Sequence, residues 1–128
     1  GSYKDLLTVN PDSDFIEMKG NDVFKIAVNT MGKIARETLD ANDLKIDDVD
    51  WLIPHQANSR IINAIAKKLS LPSEKIILTV GNHGNTSAAS IPLAIDYATQ
   101  TGDLKKEDTI LLEAFGAGFT WGSTLLKF

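Results

Sequence analysis

The chain has 128 residues, 43% of them apolar and 23% charged, which is typical of one soluble globular domain with its own core. It contains no cysteine, which excludes disulfides, thiolate metal sites and thiol catalysis by its own residues. The net charge of −4 argues against general nucleic-acid binding, and no apolar run predicts a membrane span or a signal peptide.

The first third of the chain predicts two short extended segments followed by a long helix. Tyr3–Val9 has extended character and leads into the turn-rich segment Asn10–Asp14, and Phe15–Met18 is a second extended piece. A helix then begins at Gly20-Asn21-Asp22 and runs to Asn42. The apolar residues that share one side of this helix are Val23, Ile26, Ala27, Thr30, Ile34 and Leu39.

The next two elements are a strand and a helix. Asp50–Ile53 predicts a short buried strand that ends at Pro54. A helix follows from Asn58 to Ser70, and Leu71-Pro72 stops it. The apolar residues on one side of this helix are Ile61, Ile62, Ile65 and Leu69.

The last third continues the alternation of strands and helices, which indicates an α/β fold. Lys75–Val80 is rich in β-branched residues and predicts a strand, Gly81–Asn85 predicts a polar loop, and Thr86–Thr101 predicts a helix. The chain ends with two predicted antiparallel strands, Thr109–Phe115 and Phe119–Phe128, joined at Gly116-Ala117-Gly118.

Two polar segments, Pro54–Asn58 and His83–Ser87, each lie where an apolar strand gives way to a helix, a common place for ligand-binding groups. His55 offers an imidazole donor and Asn85 a carboxamide donor. Each also has an ordinary structural interpretation, since a histidine at a strand end often bonds to backbone and Gly-Asn often forms a left-handed turn. A metal site at His55 and His83 lacks an obvious third ligand, so no metal or cofactor is predicted.

Other residues have ordinary interpretations as well. Gly116-Ala117-Gly118 is by default a hairpin turn. Trp51 and Trp121 are typical core aromatics. The basic side chains Arg60, Lys67 and Lys68 are typical of a solvated helix face.

Three segments together resemble one known family. They are Asp50–Asn58 (DWLIPHQAN), His83–Ser90 (HGNTSAAS) and Leu112–Gly122 (LEAFGAGFTWG). They resemble the C-terminal half of β-ketoacyl-acyl-carrier-protein synthase III, and the resemblance extends from Tyr3 to Phe128. The separation of 30 residues between His55 and Asn85 also fits the family.

The resemblance implies a Cys-His-Asn active site in which this chain supplies His55 and Asn85, while the nucleophilic cysteine belongs to an N-terminal half. The implied substrates are acetyl-CoA, which acylates the cysteine, and malonyl-acyl-carrier protein, which loses CO₂. His55 and Asn85 then donate hydrogen bonds to the thioester oxygen of the resulting enolate.

The resemblance also implies roles for ten further residues. Ala117 gives a backbone N–H to the oxyanion hole and is expected to have a negative φ, and Phe115 shields the site from water. The residues that match the wall of the pantetheine tunnel are Gly20, Asn21, Phe24 and Asn58. The residues that match the docking surface for acyl-carrier protein are Lys25, Arg60, Lys67 and Lys68, and Arg60 and Lys67 share one helix face.

The implied fold is the C-terminal half of the thiolase-like fold, a mixed sheet covered by helices. The first strand of that half is expected to precede Tyr3 and to lie at the sheet centre, so a gap in the sheet is expected. The lack of cysteine fits a cytoplasmic location, although many secreted proteins also lack free thiols. No nucleic-acid or membrane partner is expected.

The isolated chain, as a truncation or proteolytic fragment, is expected to be inactive, because the resemblance places the catalytic cysteine in the absent N-terminal half. The resemblance also implies that the full-length enzyme is a homodimer. Two alternatives stay open. One is a carrier-protein-binding module without catalysis. The other is half of a related polyketide or quinolone starter synthase.

Overall fold

The computed structural model describes residues 3, 5–9, 12 and 15–128, and it begins with a small antiparallel hairpin. Strand β1 (Leu7–Val9) pairs with β2 (Ile16–Met18), with Leu7 opposite Met18. Both strands were predicted, although β1 is shorter than the extended segment expected from Tyr3. The predicted turn at 10–14 lies outside the described residues except for Asp12.

Helix α1 (Gly20–Asp40) follows the hairpin and buries a stripe that includes several small residues. The predicted stripe is correct at Val23, Ala27 and Leu39, whereas the other predicted positions are only half-buried. The remaining buried positions of the helix are Met31, Gly32 and Ala35. The small residues Gly32 and Ala35 allow the helix to pack closely on its neighbours, so the buried face contains fewer large apolar residues than the periodic pattern predicted.

The main sheet contains three strands in the order β3–β4–β5. Strand β3 (Trp51–Pro54) runs parallel to β4 (Thr109–Gly116), and β5 (Thr120–Lys127) returns antiparallel to β4, as the hairpin prediction required. The expected gap at the sheet centre is wrong, because β3 and β4 pair directly, with Trp51 opposite Ile110 and Pro54 opposite Glu113. Within the described residues, the unpaired edge of this sheet is that of β5.

The predicted strand at Lys75–Val80 is not formed. A short 3₁₀ turn covers Ser73–Lys75, a single parallel bridge joins Ile76 to Leu52, and a one-turn helix α3 (Val80–His83) replaces part of the predicted loop. The β-branched run does lie beside β3, where the backbone N–H of Ile77 donates to Leu52 at 3.1 Å. The buried side chain of Gln56 supplies hydrogen bonds to this segment in place of further strand pairing.

Helix α2 (Ser59–Leu69) has the boundaries that its flanking residues predicted. The Oδ1 atom of Asn58 accepts the backbone N–H of Ile61 at 2.9 Å, which caps the first turn. Ser70 adopts a left-handed conformation (φ 60°) and ends the helix. Helix α4 (Ser90–Thr101) begins four residues later than predicted, because a 3₁₀ turn at Ser87–Ala89 comes first.

The sheet lies between two apolar clusters. Leu52 and Leu111 face the cluster formed with α1 and α2, whereas Ile53 and Ile110 face the cluster formed with α4. Trp51 is half-buried and donates to Asp108 at 3.1 Å, but Trp121 is 43% exposed, so its prediction as a core aromatic is wrong. None of the helices in the described part of the chain is both long and apolar enough to cross a bilayer.

Candidate active site

His55 follows the last residue of β3, and two contacts fix its position. Its backbone N–H donates to the carbonyl of Glu113 on β4 at 2.7 Å, and its ring Nδ1 lies 2.7 Å from the Oγ of Ser90. The ring is half-buried, and this burial lowers the pKa of His55 below its usual value, so the imidazole is neutral at pH 7. Its Nε2 has no hydrogen-bond partner among the described residues.

The buried side chain of Gln56 ties the end of β3 to the segment that leads to Asn85. Its Nε2 donates to the carbonyls of Pro54 at 2.8 Å and Ile77 at 3.1 Å. Its Oε1 accepts the backbone N–H groups of Thr79 at 2.8 Å and Val80 at 3.2 Å. All four bonding positions of the carboxamide are therefore filled. No local signal in the sequence predicted this role of Gln56.

Asn85 lies in the exposed loop between α3 and α4. Its Oδ1 accepts the backbone N–H of Ser87 at 3.1 Å, and its NH₂ group has no partner in the described part of the chain. The left-handed residues of the loop are Gly84 (φ 68°) and Ser87 (φ 51°), so the alternative that Asn85 itself adopts this conformation is wrong. The loop thus fixes the amide oxygen and leaves the amide nitrogen available.

Two links join the segments that carry His55 and Asn85. Gln56 holds residues 79 and 80, which precede Asn85, and Ser90, which follows Asn85, holds the ring of His55. His83 instead lies exposed with its ring edge-on to Tyr97 at 6.4 Å. Across residues 15–128 and the described residues before them, no three His, Asp or Glu side chains are grouped as metal ligands.

The turn between β4 and β5 has the backbone expected from its sequence. Ala117 does not have a positive φ, as predicted, and Gly118 adopts φ 131° instead. The N–H of exposed Ala117 makes no hydrogen bond within the described residues. Phe115 is half-buried and packs against Phe119 with ring centres 4.6 Å apart, which places an aromatic cluster beside this free donor.

A cavity of about 510 Å³ lies between the first turns of α1 and α2. All four predicted tunnel residues line it, and Arg60 lines it too, with its guanidinium carbon 5.7 Å from the centre of the Phe24 ring. The complete lining is Met18, Gly20, Asn21, Val23, Phe24, Asn58, Ser59, Arg60 and Ile61. An apolar wall with a few amide groups suits a chain that is mainly aliphatic with amide links.

The four predicted docking residues have different environments. The side chains of Lys25, Arg60 and Lys67 are exposed. The side chain of Lys68 crosses to α1, where its Nζ donates to Asn29 at 2.9 Å and its Cδ lies 2.6 Å from the position of an added Cβ at Gly32. Lys68 is exposed like the other three, so its interpretation as part of a solvated helix face holds, and its side chain also joins two helices.

The sequence did not single out Glu113, which is the most unusual ionisable group of the site. It is 1% exposed, and neither carboxylate oxygen has a partner among the described residues. Burial raises the pKa of Glu113 to about 8. It lies opposite Pro54 on β3 and Ser123 on β5, and the backbone link to His55 places this neutral carboxyl next to the candidate site.

Solved structures similar to this chain define its class. The crystal structure of 3-oxoacyl-[acyl-carrier-protein] synthase III from Aquifex aeolicus superposes with a TM-score of 0.95 at 46% identity, over 100% of this chain and 41% of that one. The fold is therefore the C-terminal part of the thiolase-like fold of condensing enzymes. The family model described as 3-oxoacyl-[acyl-carrier-protein] synthase III C terminal matches residues 39–128, and the chain belongs to this family.

Curated relatives agree with this assignment, and the resemblance inferred from the three motifs is confirmed. Beta-ketoacyl-[acyl-carrier-protein] synthase III of Thioalkalivibrio sulfidiphilus is 60% identical over 114 residues, covering 89% of this chain and 35% of the relative. The protein of the same name from Methylococcus capsulatus is 55% identical and covers 100% of this chain and 43% of the relative. The chain thus spans about two fifths of the length of these relatives.

Proposed function

We propose that residues 1–128 form the C-terminal domain of a β-ketoacyl-acyl-carrier-protein synthase III, which condenses acetyl-CoA with malonyl-acyl-carrier protein. The observation that supports this most directly is the pair of free donors, Nε2 of a neutral His55 and the amide of Asn85. Both belong to segments joined by Gln56 and Ser90. A cytoplasmic location belongs to the same proposal.

The reaction starts on a cysteine of the N-terminal part. Its thiolate attacks the acetyl thioester, so that the acetyl–sulfur bond to CoA breaks and CoA leaves as a thiolate, which takes up a proton from water. The bond between the malonyl carboxylate and its α-carbon then breaks, CO₂ leaves, and the electron pair forms an enolate on the carrier-bound thioester. The enolate carbon attacks the acetyl carbonyl, and the cysteine sulfur leaves as the new carbon–carbon bond forms.

His55 and Asn85 stabilise the enolate, which is the species whose charge appears during the reaction. A neutral imidazole and a carboxamide each donate one hydrogen bond to its oxygen, and a carboxylate at either position would repel that oxygen. One such donor contributes about 3–4 kcal/mol to lowering the barrier in comparable oxyanion sites. The lowered pKa of His55 suits this role, because it keeps the ring neutral.

The remaining residues hold the acyl groups and the two carriers. The free N–H of Ala117 donates to the oxyanion of the acetyl-transfer step, and Phe115 excludes water from the nucleophile. The cavity lined by Asn21, Phe24 and Asn58 takes the pantetheine arm. Asn58 uses its Oδ1 for the helix cap, so its NH₂ group is the one that contacts the arm.

Acyl-carrier protein docks on the exposed basic side chains of Lys25, Arg60 and Lys67. Carrier proteins of this kind are acidic, and a local basic patch on a chain of net charge −4 attracts them over a long distance. Lys68 adds its charge to this surface, but its ammonium already donates to Asn29. We therefore assign Lys68 primarily to the contact between α1 and α2.

The test joins this chain to the N-terminal portion of the Thioalkalivibrio relative, giving a protein of the relative's full length, here called the joined protein. We expect it to condense acetyl-CoA with malonyl-acyl-carrier protein, and we expect the isolated chain not to do so. His55→Ala and Asn85→Asp should each lower the decarboxylation rate about 100-fold or more. The matched control is His83→Ala, which should stay within about threefold of wild type because His83 points to Tyr97. A folded joined protein without condensation would overturn the proposal.

A further inference from the structure

We propose that Ser90 is a positioning residue that holds the imidazole of His55 in the tautomer with its proton on Nε2. The inference rests on the proposed function, in which Nε2 donates to the enolate oxygen. Ser90 is the first residue of α4, and its side chain is 2% exposed. It therefore faces the protein interior and exchanges no hydrogen bonds with bulk water.

The Oγ atom of Ser90 has two contacts. It accepts the backbone N–H of Gln56 at 3.2 Å, and it lies 2.7 Å from the Nδ1 of His55. The donor in the first contact is unambiguous, because a backbone amide can only donate. The second contact can be made in either direction, since a hydroxyl donates or accepts and either ring nitrogen can carry the proton.

The hydroxyl proton of Ser90 decides between the two directions. The only acceptor for it among the described residues is the Nδ1 of His55. If Nδ1 carried the ring proton, it would donate to Oγ, and the buried hydroxyl proton would have no partner. Leaving a buried donor unpaired is unfavourable by about 10- to 100-fold in population. The hydroxyl therefore donates to a bare Nδ1, and the ring proton is on Nε2.

This arrangement places a hydrogen-bond donor, and not an acceptor, at the Nε2 position of the candidate site. Nε2 lies on the far side of the ring from Ser90 and has no partner among the described residues, so its N–H is free to donate. The other tautomer would present a lone pair at the same place, and a lone pair repels an enolate oxygen. The same segment, residues 79–90, is fixed to Gln56 by hydrogen bonds at both ends, through its backbone at Thr79 and the hydroxyl of Ser90. Ser90 thus sets both the ring orientation and the tautomer.

The experiment measures the nitrogen signals of His55 by NMR in the joined protein labelled with ¹⁵N-histidine. His55 is assigned as the signal that is lost in His55→Ala. Wild type should show an unprotonated Nδ1 and a protonated Nε2 in at least about 90% of molecules at pH 7.5, because the unpaired hydroxyl proton makes the other tautomer at least about tenfold less populated. Ser90→Ala should lose this preference and shift both nitrogens towards intermediate values, whereas Ser90→Thr, which keeps the hydroxyl, should retain the wild-type pattern.

The decarboxylation rate gives a second readout. Ser90→Ala should lower it about tenfold, and Ser90→Thr should stay within about threefold of wild type. A protonated Nδ1 in wild type, or an unchanged pair of signals in a folded Ser90→Ala protein, would overturn the proposal. Because the tautomer is read without turnover, an inactive wild-type joined protein would count against the proposed function and leave the assignment of the tautomer to be judged separately.

Discussion

The guanidinium of Arg60 lies over the ring of Phe24, with 5.7 Å between its central carbon and the ring centre. This cation–π contact joins the first turn of α2 to the first turn of α1 beside the cavity. One face of the guanidinium is thereby held by an aromatic ring, while the side chain as a whole stays exposed. Under the proposed function, this position assigns Arg60 to both the cavity for the pantetheine arm and the docking surface for the carrier.

Charge reversal should separate these two contacts. Arg60→Glu in the joined protein should raise the KM for both acetyl-CoA and malonyl-acyl-carrier protein about tenfold, because Arg60 lines the cavity and belongs to the docking surface. Lys67→Glu should raise only the KM for the carrier, since Lys67 lies two turns away on the same helix face. The increase in the KM for the carrier should become smaller when the assay contains more than about 0.5 M salt, because salt then screens the charges strongly.

The matched control for charge reversal is Lys106→Glu. Lys106 is exposed and precedes the start of β4, at the opposite end of the sheet from His55. Its reversal changes the net charge equally, so it should leave both KM values within about twofold. Equal losses of carrier binding in all three variants would point to net charge alone and contradict a local docking surface.

Gln56 should contribute strongly to stability because its four hydrogen bonds are buried. Gln56→Met keeps the shape of the side chain but leaves the N–H of Thr79 and the carbonyl of Ile77 without their partner. Each unpaired buried group costs about 1–3 kcal/mol, so we expect a loss of at least ~3 kcal/mol in the free energy of unfolding. Gln100→Met makes the same chemical change on the exposed face of α4 and should cost less than about 0.5 kcal/mol. Urea unfolding of both variants compares them, and similar losses would contradict this account.

The buried carboxyl of Glu113 should make stability depend on pH in an unusual direction. Its pKa is about 8 in the folded chain and about 4.5 when exposed, so between these values the folded state holds a proton that the unfolded state has released. Its contribution to stability is therefore complete below pH 4.5 and is lost as the pH rises towards 8, by about 1.4 kcal/mol per pH unit.

Glu113→Gln removes this titration and keeps the shape of the side chain. The free energy of unfolding of Glu113→Gln, minus that of wild type, should increase by roughly 3 kcal/mol between pH 5.5 and 8, two conditions chosen for the experiment. A constant difference across this pH range would mean that the carboxyl of Glu113 is ionised in the folded protein.

Local signals in the sequence predicted the bounds of an element correctly wherever residues with strong backbone preferences flank it. Asn58 and Ser70 delimit α2, and the Gly-Ala-Gly turn fixes the β4–β5 hairpin. The β-branched run at Lys75–Val80 was misleading, because the side chain of Gln56 bonds to the backbone groups that a neighbouring strand would have used. A glutamine side chain that acts in place of a strand partner leaves no periodic pattern in the sequence.

The candidate site was predictable in part for a similar reason. His55 stands at the end of β3, and Asn85 lies in the loop before α4 at the place where the sequence predicted a change from strand to helix. Ser90 and Glu113 were not found, because their importance comes from tertiary neighbours: a ring nitrogen 35 positions away for Ser90, and the enclosure of a carboxyl without partners for Glu113. The predicted strand order of the main sheet was also wrong. The central position of the strand expected before Tyr3 was taken from the family resemblance, whereas β3 and β4 pair directly.

The last prediction concerns the two roles assigned to Lys68. An added Cβ at Gly32 would lie 2.6 Å from the Cδ of Lys68, so Gly32→Ala should displace this flexible side chain and weaken its hydrogen bond to Asn29. Against this loss, replacing glycine by alanine inside a helix stabilises it by up to about 1 kcal/mol. In wild type the two effects should nearly cancel. In a Lys68→Ala background, which removes the three atoms nearest to the added Cβ, Gly32→Ala should stabilise the chain by up to ~1 kcal/mol.

The four variants form a double-mutant cycle measured by urea unfolding, and the carrier-binding assay of the joined protein is its second readout. A coupling free energy of about 0.5–1 kcal/mol is expected between positions 32 and 68, because residues in direct contact are not additive. Gly32→Ala moves the Lys68 ammonium without removing its charge. If carrier affinity falls in Lys68→Ala but is unchanged in Gly32→Ala, the charge of Lys68 contributes to docking without needing its place on α1. Additive stabilities would instead mean that the contact between Lys68 and Gly32 does not hold the two helices together.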